Sequence, residues 1–327
     1  MNIQRQSYPF WLLNHLPIAL AAGVFLAFGT LSPKFLELNN LVNILVQASS
    51  AGIVAIGMTC VLLVAGIDLS VGAIMYLTAA LAARMTLGGI ALPWAILAIL
   101  VLGLLFGGVN AFFITRFRIL PFVVTLATLY MGRGLGLWIT ETRAMNLPEQ
   151  LLVIGSSRLA GIPIPVLVFF AVLVIAHLVL TRTPYGRQIY AVGQDLEGAQ
   201  KAGLNPGRIL VSIYLVSGLC AALGGLVSVA QLGAVSPTFG NQREFAAVAA
   251  AVLGGTSLFG GRGQVFPGTV LGTLLIQMIE SGLVILNADP YLYPLITSSI
   301  IFLAVLLDCL RNRQIQRLSR RKIRIEA

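Results

Sequence analysis

Charged residues are scarce in this chain of 327 amino acids. Asp, Glu, Lys and Arg make up 10% of it, against about 25% in soluble globular proteins. Hydrophobic residues make up 58%, so too few charges remain to cover the surface of soluble domains. The three cysteines, Cys60, Cys220 and Cys309, all lie in apolar runs, which excludes a disulfide scaffold and is typical of buried thiols. The composition indicates a polytopic membrane protein.

Motifs for nucleotide binding, metal binding and hydrolysis are also missing. None of the three lysines follows a glycine, so the loop G-x-x-x-x-G-K-[ST] is absent. His15 and His177 stand alone, and neither G-x-S-x-G nor H-E-x-x-H occurs. We therefore expect neither an enzyme nor a metal site, and no cofactor bound by the chain itself.

Long apolar runs predict an all-α integral membrane protein with about ten transmembrane helices. Each span needs about 20 mostly apolar residues to cross the hydrocarbon core. The eighth predicted span is the least secure, because it is short. We predict a single transmembrane domain over residues 1–310, followed by a basic tail at 311–327. The predicted spans are 13–32, 42–65, 70–87, 92–115, 121–140, 163–181, 208–231, 245–257, 265–286 and 292–309.

The distribution of basic residues predicts the orientation, because cytoplasmic loops are enriched in Lys and Arg. With both termini in the cytoplasm, 15 of the 21 Lys and Arg residues lie inside, and seven of these lie in the tail from Arg311 onward. Such a tail binds an anionic leaflet with about 1 kcal/mol per basic residue. Nucleic-acid binding is the competing interpretation of a basic run, but ten predicted spans favour the lipid bilayer as partner and no nucleic acid.

The polar segment 182–207 contains the start and stop signals of a short helix. Asp195 is placed to cap its start, Glu197 lies in its first turn, Lys201 in its last, and Gly203 ends it. A helix of about seven residues is marginal in water, so a role as a docking surface is one interpretation. Its small residues, among them Gly198, would allow another protein to approach closely. The alternative is a helix that lies on its own membrane domain.

Three motifs resemble the permease family of bacterial ABC sugar importers of the ribose, xylose and galactose type. They are GRQIYAVGQDLEGAQKAGLNPGRI (Gly186–Ile209), GIDLSVG (Gly66–Gly72) and AAVAAAVLGGTSLFGGRG (Ala246–Gly263). The resemblance extends in order over nearly the whole chain. It implies a multi-pass protein of the bacterial inner membrane that works with a cytoplasmic ABC ATPase, a periplasmic sugar-binding protein and a second permease subunit, identical or paralogous. ATP and Mg would be used by the ATPase.

The resemblance also implies roles for particular residues. The ribose-type permeases carry an acidic residue where Ala246 stands, so the identity of the sugar is left open. The segment 182–207, called the coupling segment below, and a turn within the glycine-rich string GGTSLFGGRGQVFPG (Gly254–Gly268) are expected to meet the ATPase. The residues are Gly186, Arg187, Ala191, Gly193, Asp195, Ala199, Ala202, Gly203 and Arg262. Gating or structural roles fall to Asp68, Ser70, Gly72, Gly254, Gly255, Gly260 and Gly261.

Asp68 is open to two interpretations. As a residue at a helix start it can accept hydrogen bonds from free backbone N–H groups. As an ionisable group near the membrane interior it is also a candidate for gating or for contact with the ATPase.

Polar residues within or beside the spans are candidates for the transport pathway. Arg133 and Glu280 lie in outer parts of their spans, where an unpaired charge costs at least about 2.5–3.5 kcal/mol; they either form a pair or Arg133 extends to the interface. Glu244 precedes the eighth span and either contacts sugar or binding protein or belongs to a solvated loop. The candidates are Asn43, Gln47, Asn110, Thr125, Thr128, Arg133, Glu244, Gln277 and Glu280.

Glycines in G-x-x-x-G spacing predict close helix packing. The pairs are Gly103 with Gly107, Gly132 with Gly136 and Gly268 with Gly272.

The sequence as a whole predicts that this chain is the membrane-spanning subunit of an ATP-driven, binding-protein-dependent importer that moves a pentose or hexose by alternating access. A secondary transporter driven by an ion gradient is the alternative, although such carriers usually have more acidic residues deep in their spans.

Overall fold

Most of the described residues are helical. The computed structural model describes residues 8–289, 291–293, 295–296, 298–300, 302–303 and 306, with side chains from residue 17 onward. Eight of the 18 residues of the tenth predicted span (294, 297, 301, 304–305 and 307–309) and the whole basic tail lie outside the described residues. The helices are α1 (Tyr8–Leu31), α2 (Leu38–Leu63), α3 (Val71–Leu87), α4 (Leu92–Arg116), α5 (Pro121–Thr140), α6 (Glu149–Ser156), α7 (Ile164–Arg182), α8 (Pro184–Gln194), α9 (Leu196–Lys201), α10 (Pro206–Leu232), α11 (Arg243–Leu253) and α12 (Val270–Ile285).

Six helical segments among the described residues are long and apolar enough to cross a membrane. Two further apolar helices are shorter, Pro17–Leu31 and Val71–Leu87. An all-α membrane protein is thus supported, while the count of ten spans stays a prediction. The six segments are Leu38–Leu63, Leu92–Arg116, Pro121–Thr140, Ile164–Arg182, Pro206–Leu232 and Val265–Ile285.

Helix α10 is central and packs against α2, α3 and α4. Gly103 and Gly107 of α4 approach its backbone so closely that a β-carbon on either would collide with it. Gly136 of α5 faces the Tyr76 ring of α3, which a β-carbon there would meet, and Gly132 lies close to Ala73 of α3. Small residues permit this distance because nothing bulky separates the two backbones. The predicted close packing at the G-x-x-x-G pairs is confirmed.

Helix α11 is too short to cross a bilayer alone. Its 11 residues extend about 16 Å at 1.5 Å per residue, roughly half of the hydrocarbon thickness. The helix ends at Gly254, and Gly255, Gly260 and Gly261 all have positive φ, which explains why glycines follow one another here. This glycine-rich turn (residues 254–264) leads into the π-helical turn Val265–Thr269 and α12. The short eighth span is thereby replaced by a half-helix and a turn.

Several small elements were not predicted from the sequence. Two-residue strands form two antiparallel pairs: β1 (Met145–Asn146) with β4 (Ala234–Val235), and β2 (Arg158–Leu159) with β3 (Ile162–Pro163). Helix α6 packs against α10. These elements connect the ends of α5, α7 and α10.

Candidate coupling segment and polar clusters

The coupling segment consists of two short capped helices. Thr183 caps α8, its hydroxyl accepting from the backbone N–H of Gly186 at 3.1 Å. The Asp195 carboxylate caps α9 by accepting from the N–H of Gly198 at 3.0 Å. Gly203 then ends the segment with a φ of +85°, a conformation that favours glycine. The predicted short helix, its cap and its end are confirmed, whereas α8 was not predicted.

The end of α8 packs directly against the end of α2. Gly193 has no room for a β-carbon, because the carbonyl of Leu63 fills the space. The same Leu63 carbonyl accepts a hydrogen bond from the N–H of Gly261 at 2.9 Å. Tyr190 adds a link by donating its hydroxyl to the carbonyl of Gly263 at 2.9 Å. Burial raises the pKa of Tyr190, so its phenol stays protonated and able to donate.

Helix α9 has one face on the protein and one face free. Ala199 is buried in a core cluster, so the small residue expected to face a partner packs instead on its own bundle. Elsewhere on the helix, Leu196 is 47% exposed, and Glu197 and Gln200 are also exposed. Ala199 therefore packs on the membrane domain, as the alternative interpretation expects, while docking of a partner on the exposed residues stays a prediction.

The residues assigned to the ATPase contact fall into two groups. Arg187, Asp195, Ala202, Gly203 and Arg262 are exposed. The others are buried or half-buried and hold the segment in place, namely Gly186, Ala191, Gly193 and Ala199. A partner that docks here would touch the first group and act through the second.

Asp68 is fully buried and forms the centre of a polar cluster. Its carboxylate accepts from the N–H of Ser70 at 3.0 Å, from the Ser70 hydroxyl at 2.5 Å and from the Ser217 hydroxyl at 2.7 Å. Helix α3 begins only at Val71, with Ser70 at the cap position. Asp68 therefore does not cap the helix itself; it fixes the loop before α3 against α10.

Three pathway candidates belong to this cluster. The Asn110 amide donates to the Ser70 hydroxyl at 2.9 Å, and the Thr128 hydroxyl donates to the Asn110 carbonyl at 2.7 Å. The hydroxyl of Thr125 contacts the Ile67 carbonyl at 3.3 Å. All three side chains are buried. They join α4 and α5 to the loop of Asp68, and their assignment to the transport pathway stays a prediction.

The predicted pair of Arg133 and Glu280 is wrong. Arg133 lies on α5, where its guanidinium donates to the carbonyl of Phe239 at 2.6 Å and stands 5.2 Å from the centroid of the Tyr76 ring. Its electrostatic partner is Glu244 of α11. Glu280 lies on α12 at a separate cavity. Sequence spacing placed both charges at similar depth but held no information on which helices are neighbours.

Glu244 is buried beside Gly72. A β-carbon at Gly72 would meet the Glu244 carboxylate and the Gly240 carbonyl. Only glycine therefore fits at this position of the GIDLSVG motif without a shift of its neighbours. The Oε2 atom of Glu244 has no hydrogen-bond partner within the described residues. Its location excludes the solvated loop that was one interpretation of this residue.

The remaining pathway candidates gather between α2 and α12. The Gln277 amide donates to the Gln47 carbonyl oxygen at 2.9 Å. Asn43, Gln47 and Glu280 line a cavity of about 350 Å³. Four of the nine candidates, Asn43, Gln47, Gln277 and Glu280, thus lie together at one site.

Ser217 and Leu63 are the residues of these contacts that sequence reasoning missed. The only signal for Ser217 was a small polar residue within an apolar span. Nothing in the sequence indicated the contacts of the Leu63 carbonyl, because every residue type has a backbone carbonyl.

A transport permease is the class of protein that these features define. Residues 40–309 match the family described as branched-chain amino acid transport system / permease component, and the chain belongs to this family. It is similar to the ribose import permease protein of Bacillus subtilis (38% identity, over 85% of this chain and 87% of the relative). The D-allose transport system permease protein of Escherichia coli is 37% identical over 88% of each chain. The ribose import permease protein of Haemophilus influenzae is 36% identical over 85% of this chain and 87% of the relative. No solved structure matches the chain.

Proposed function

We propose that the chain is the membrane-spanning subunit of an ATP-driven, binding-protein-dependent importer of a monosaccharide. The observation that carries the proposal is the similarity of 36–38% to permeases named for ribose and allose over most of the chain. The chain itself supplies the pathway and is no enzyme. A separate cytoplasmic ABC ATPase hydrolyses ATP with Mg, and a periplasmic protein delivers the sugar.

The proposed orientation places both termini and the coupling segment in the cytoplasm. Helix α9 then offers Leu196 and its polar neighbours to the ATPase. Two permease subunits, identical or paralogous, form the complete pathway in the bacterial inner membrane and change between outward-open and inward-open states. The rigid contact of Gly193 with Leu63 supports this arrangement, because it joins the docking surface directly to a long spanning helix.

A branched-chain amino acid is the second candidate substrate, since the family description names it. A zwitterion needs both a positive and a negative partner when it is desolvated. The α2–α12 cavity is lined by one charged residue, Glu280, and otherwise by amides, a hydroxyl, a tyrosine and apolar side chains. This lining fits a neutral sugar better than a zwitterion. The relatives named for ribose and allose also favour a sugar.

Transport by the reconstituted complex tests the proposal. The chain, its ATPase and its binding protein are placed in proteoliposomes, and uptake of labelled D-ribose, D-allose, D-xylose, D-fructose and leucine is compared. We expect uptake of one of the sugars that requires ATP and is insensitive to a protonophore. Uptake driven by an ion gradient without ATP, or uptake of leucine alone, would contradict the proposal.

A further inference from the structure

Two polar helix faces meet at the end of α2 that is far from the coupling segment. Asn40, Asn43 and Gln47 are spaced by three and four residues, so they share one face of α2. Gln277, Glu280 and Ser281 do the same on α12. Besides the bond between the two glutamines, the Ser281 hydroxyl donates to the Asn40 carbonyl oxygen at 2.9 Å. The two faces are therefore held together by side-chain amides and a hydroxyl.

The cavity between these faces has the size of a small-molecule site. Its volume of about 350 Å³ lies at the lower end of the range for ligand pockets, about 300–1,000 Å³. Tyr293 lies at its lining together with Asn43 and Glu280. A pocket of this size holds one monosaccharide and little else.

Two polar side chains that line the cavity have no partner within the described residues. Within the described residues, neither Asn43 nor Glu280 has a hydrogen-bond or ion-pair partner. An unpaired carboxylate is unfavourable where it faces lipid. The cavity is therefore a place for water and for hydroxyl-bearing solutes, not for lipid.

We propose that this cavity, the α2–α12 cavity, is a monosaccharide-binding subsite of the transport pathway. The inference rests on the proposed function and adds the location of the sugar. The Glu280 carboxylate accepts from two sugar hydroxyls, while the Asn43 amide and the free Gln47 carbonyl lone pair complete the contacts. Gln47 is 16 residues from Leu63, or about 24 Å along α2, so the subsite and the coupling segment occupy opposite ends of one helix.

Uptake by the reconstituted complex is the first test, with D-ribose as the probe or, if the wild type prefers it, D-xylose, D-allose or D-fructose. We expect Glu280→Ala to lower the uptake rate about tenfold at sub-saturating sugar. Glu280→Gln keeps an acceptor and should retain at least a third of the rate. Asn39→Ala is the matched control, because Asn39 is an exposed polar residue of α2 outside the cavity lining; it should change the rate less than twofold.

Sugar protection separates binding from a structural role. In a complex whose three native cysteines are replaced by serine, Asn43→Cys and Asn39→Cys are labelled with a membrane-impermeant thiol reagent. We expect ATP-driven import of D-ribose to slow labelling at position 43 at least threefold and to leave position 39 unchanged. This comparison also controls for coverage by the docked binding protein, which would protect both positions.

The outcomes separate the two proposals. A wild-type complex that imports no sugar overturns the proposed function. A wild-type complex that imports sugar while Glu280→Ala behaves like Asn39→Ala overturns the subsite alone, as does equal labelling at position 43 with and without sugar. Complete loss of uptake in Glu280→Gln would indicate that the negative charge itself is required, as for a cation site, and would also overturn the subsite.

Discussion

Gly193 at the end of α8 lies against the carbonyl group of Leu63 at the end of α2, with no space for a β-carbon between them. The same carbonyl accepts from Gly261 of the glycine-rich turn at 2.9 Å. Five residues after Leu63, Asp68 binds Ser217 of α10 at 2.7 Å. The coupling segment, the glycine-rich turn and the Asp68 cluster therefore form one continuous structure.

Gly193→Ala is predicted to uncouple the segment from α2. The added methyl group must displace either the end of α8 or the end of α2, and overpacking of this kind costs about 1–3 kcal/mol. We expect sugar uptake by the reconstituted complex to fall at least tenfold. Gly134→Ala is the control, because nothing lies within 4 Å of a β-carbon there. Equal uptake by both variants would show that the close approach of Gly193 to Leu63 is unimportant.

Ser217→Ala is predicted to destabilise the loop before α3. The change removes the donor to one oxygen of Asp68, and the other hydrogen bonds of that carboxylate come from Ser70. A buried acceptor left without its donor costs about 1–3 kcal/mol. We expect a lower melting temperature of the detergent-solubilised protein. Ser156→Ala, which removes an exposed hydroxyl bonded within its own helix, should leave it unchanged; equal melting of the two variants would argue against the cluster.

Arg133→Met is predicted to impair folding and transport through Glu244. The change leaves the carbonyl of Phe239 without its donor and buried Glu244 without its countercharge. Adding Glu244→Gln should restore part of the lost stability, with a coupling free energy of about 0.5–3 kcal/mol in a double-mutant cycle. Replacing Glu280 by Arg in an Arg133→Glu background should restore nothing. Rescue by the Glu280 change would contradict the position of Arg133 beside Tyr76 and Phe239.

Local signals in the sequence predicted local structure well. The helix α5, Pro121–Thr140, has the bounds of its predicted span, because Pro121 at its first position marks the start. The cap by Asp195 and the end at Gly203 were likewise predictable from residue type and order. Helix α8 was missed because its polar and basic residues give no apolar run, although Thr183-Pro184 is a typical helix start.

Relations between distant segments could not be predicted in this way. Ala199 was assigned to a partner surface, yet it packs in its own core, since a short helix alone does not reveal which face is covered. The hydrogen bonds that join Asn110 and Thr128 to the Asp68 cluster were not predicted either. Polar residues within spans predict either a pathway or a buried network, and only the neighbouring helices decide between the two.

ATP hydrolysis stimulated by the sugar-loaded binding protein in the reconstituted complex tests the central claim most directly. Gly203 ends the coupling segment at a φ of +85°, which proline cannot adopt and asparagine tolerates. We predict that Gly203→Pro abolishes the stimulation while the protein still inserts in the membrane, and that Gly203→Asn retains it. Stimulation by Gly203→Pro at the level of the wild type would contradict the claim that residues 183–203 couple this permease to an ATPase.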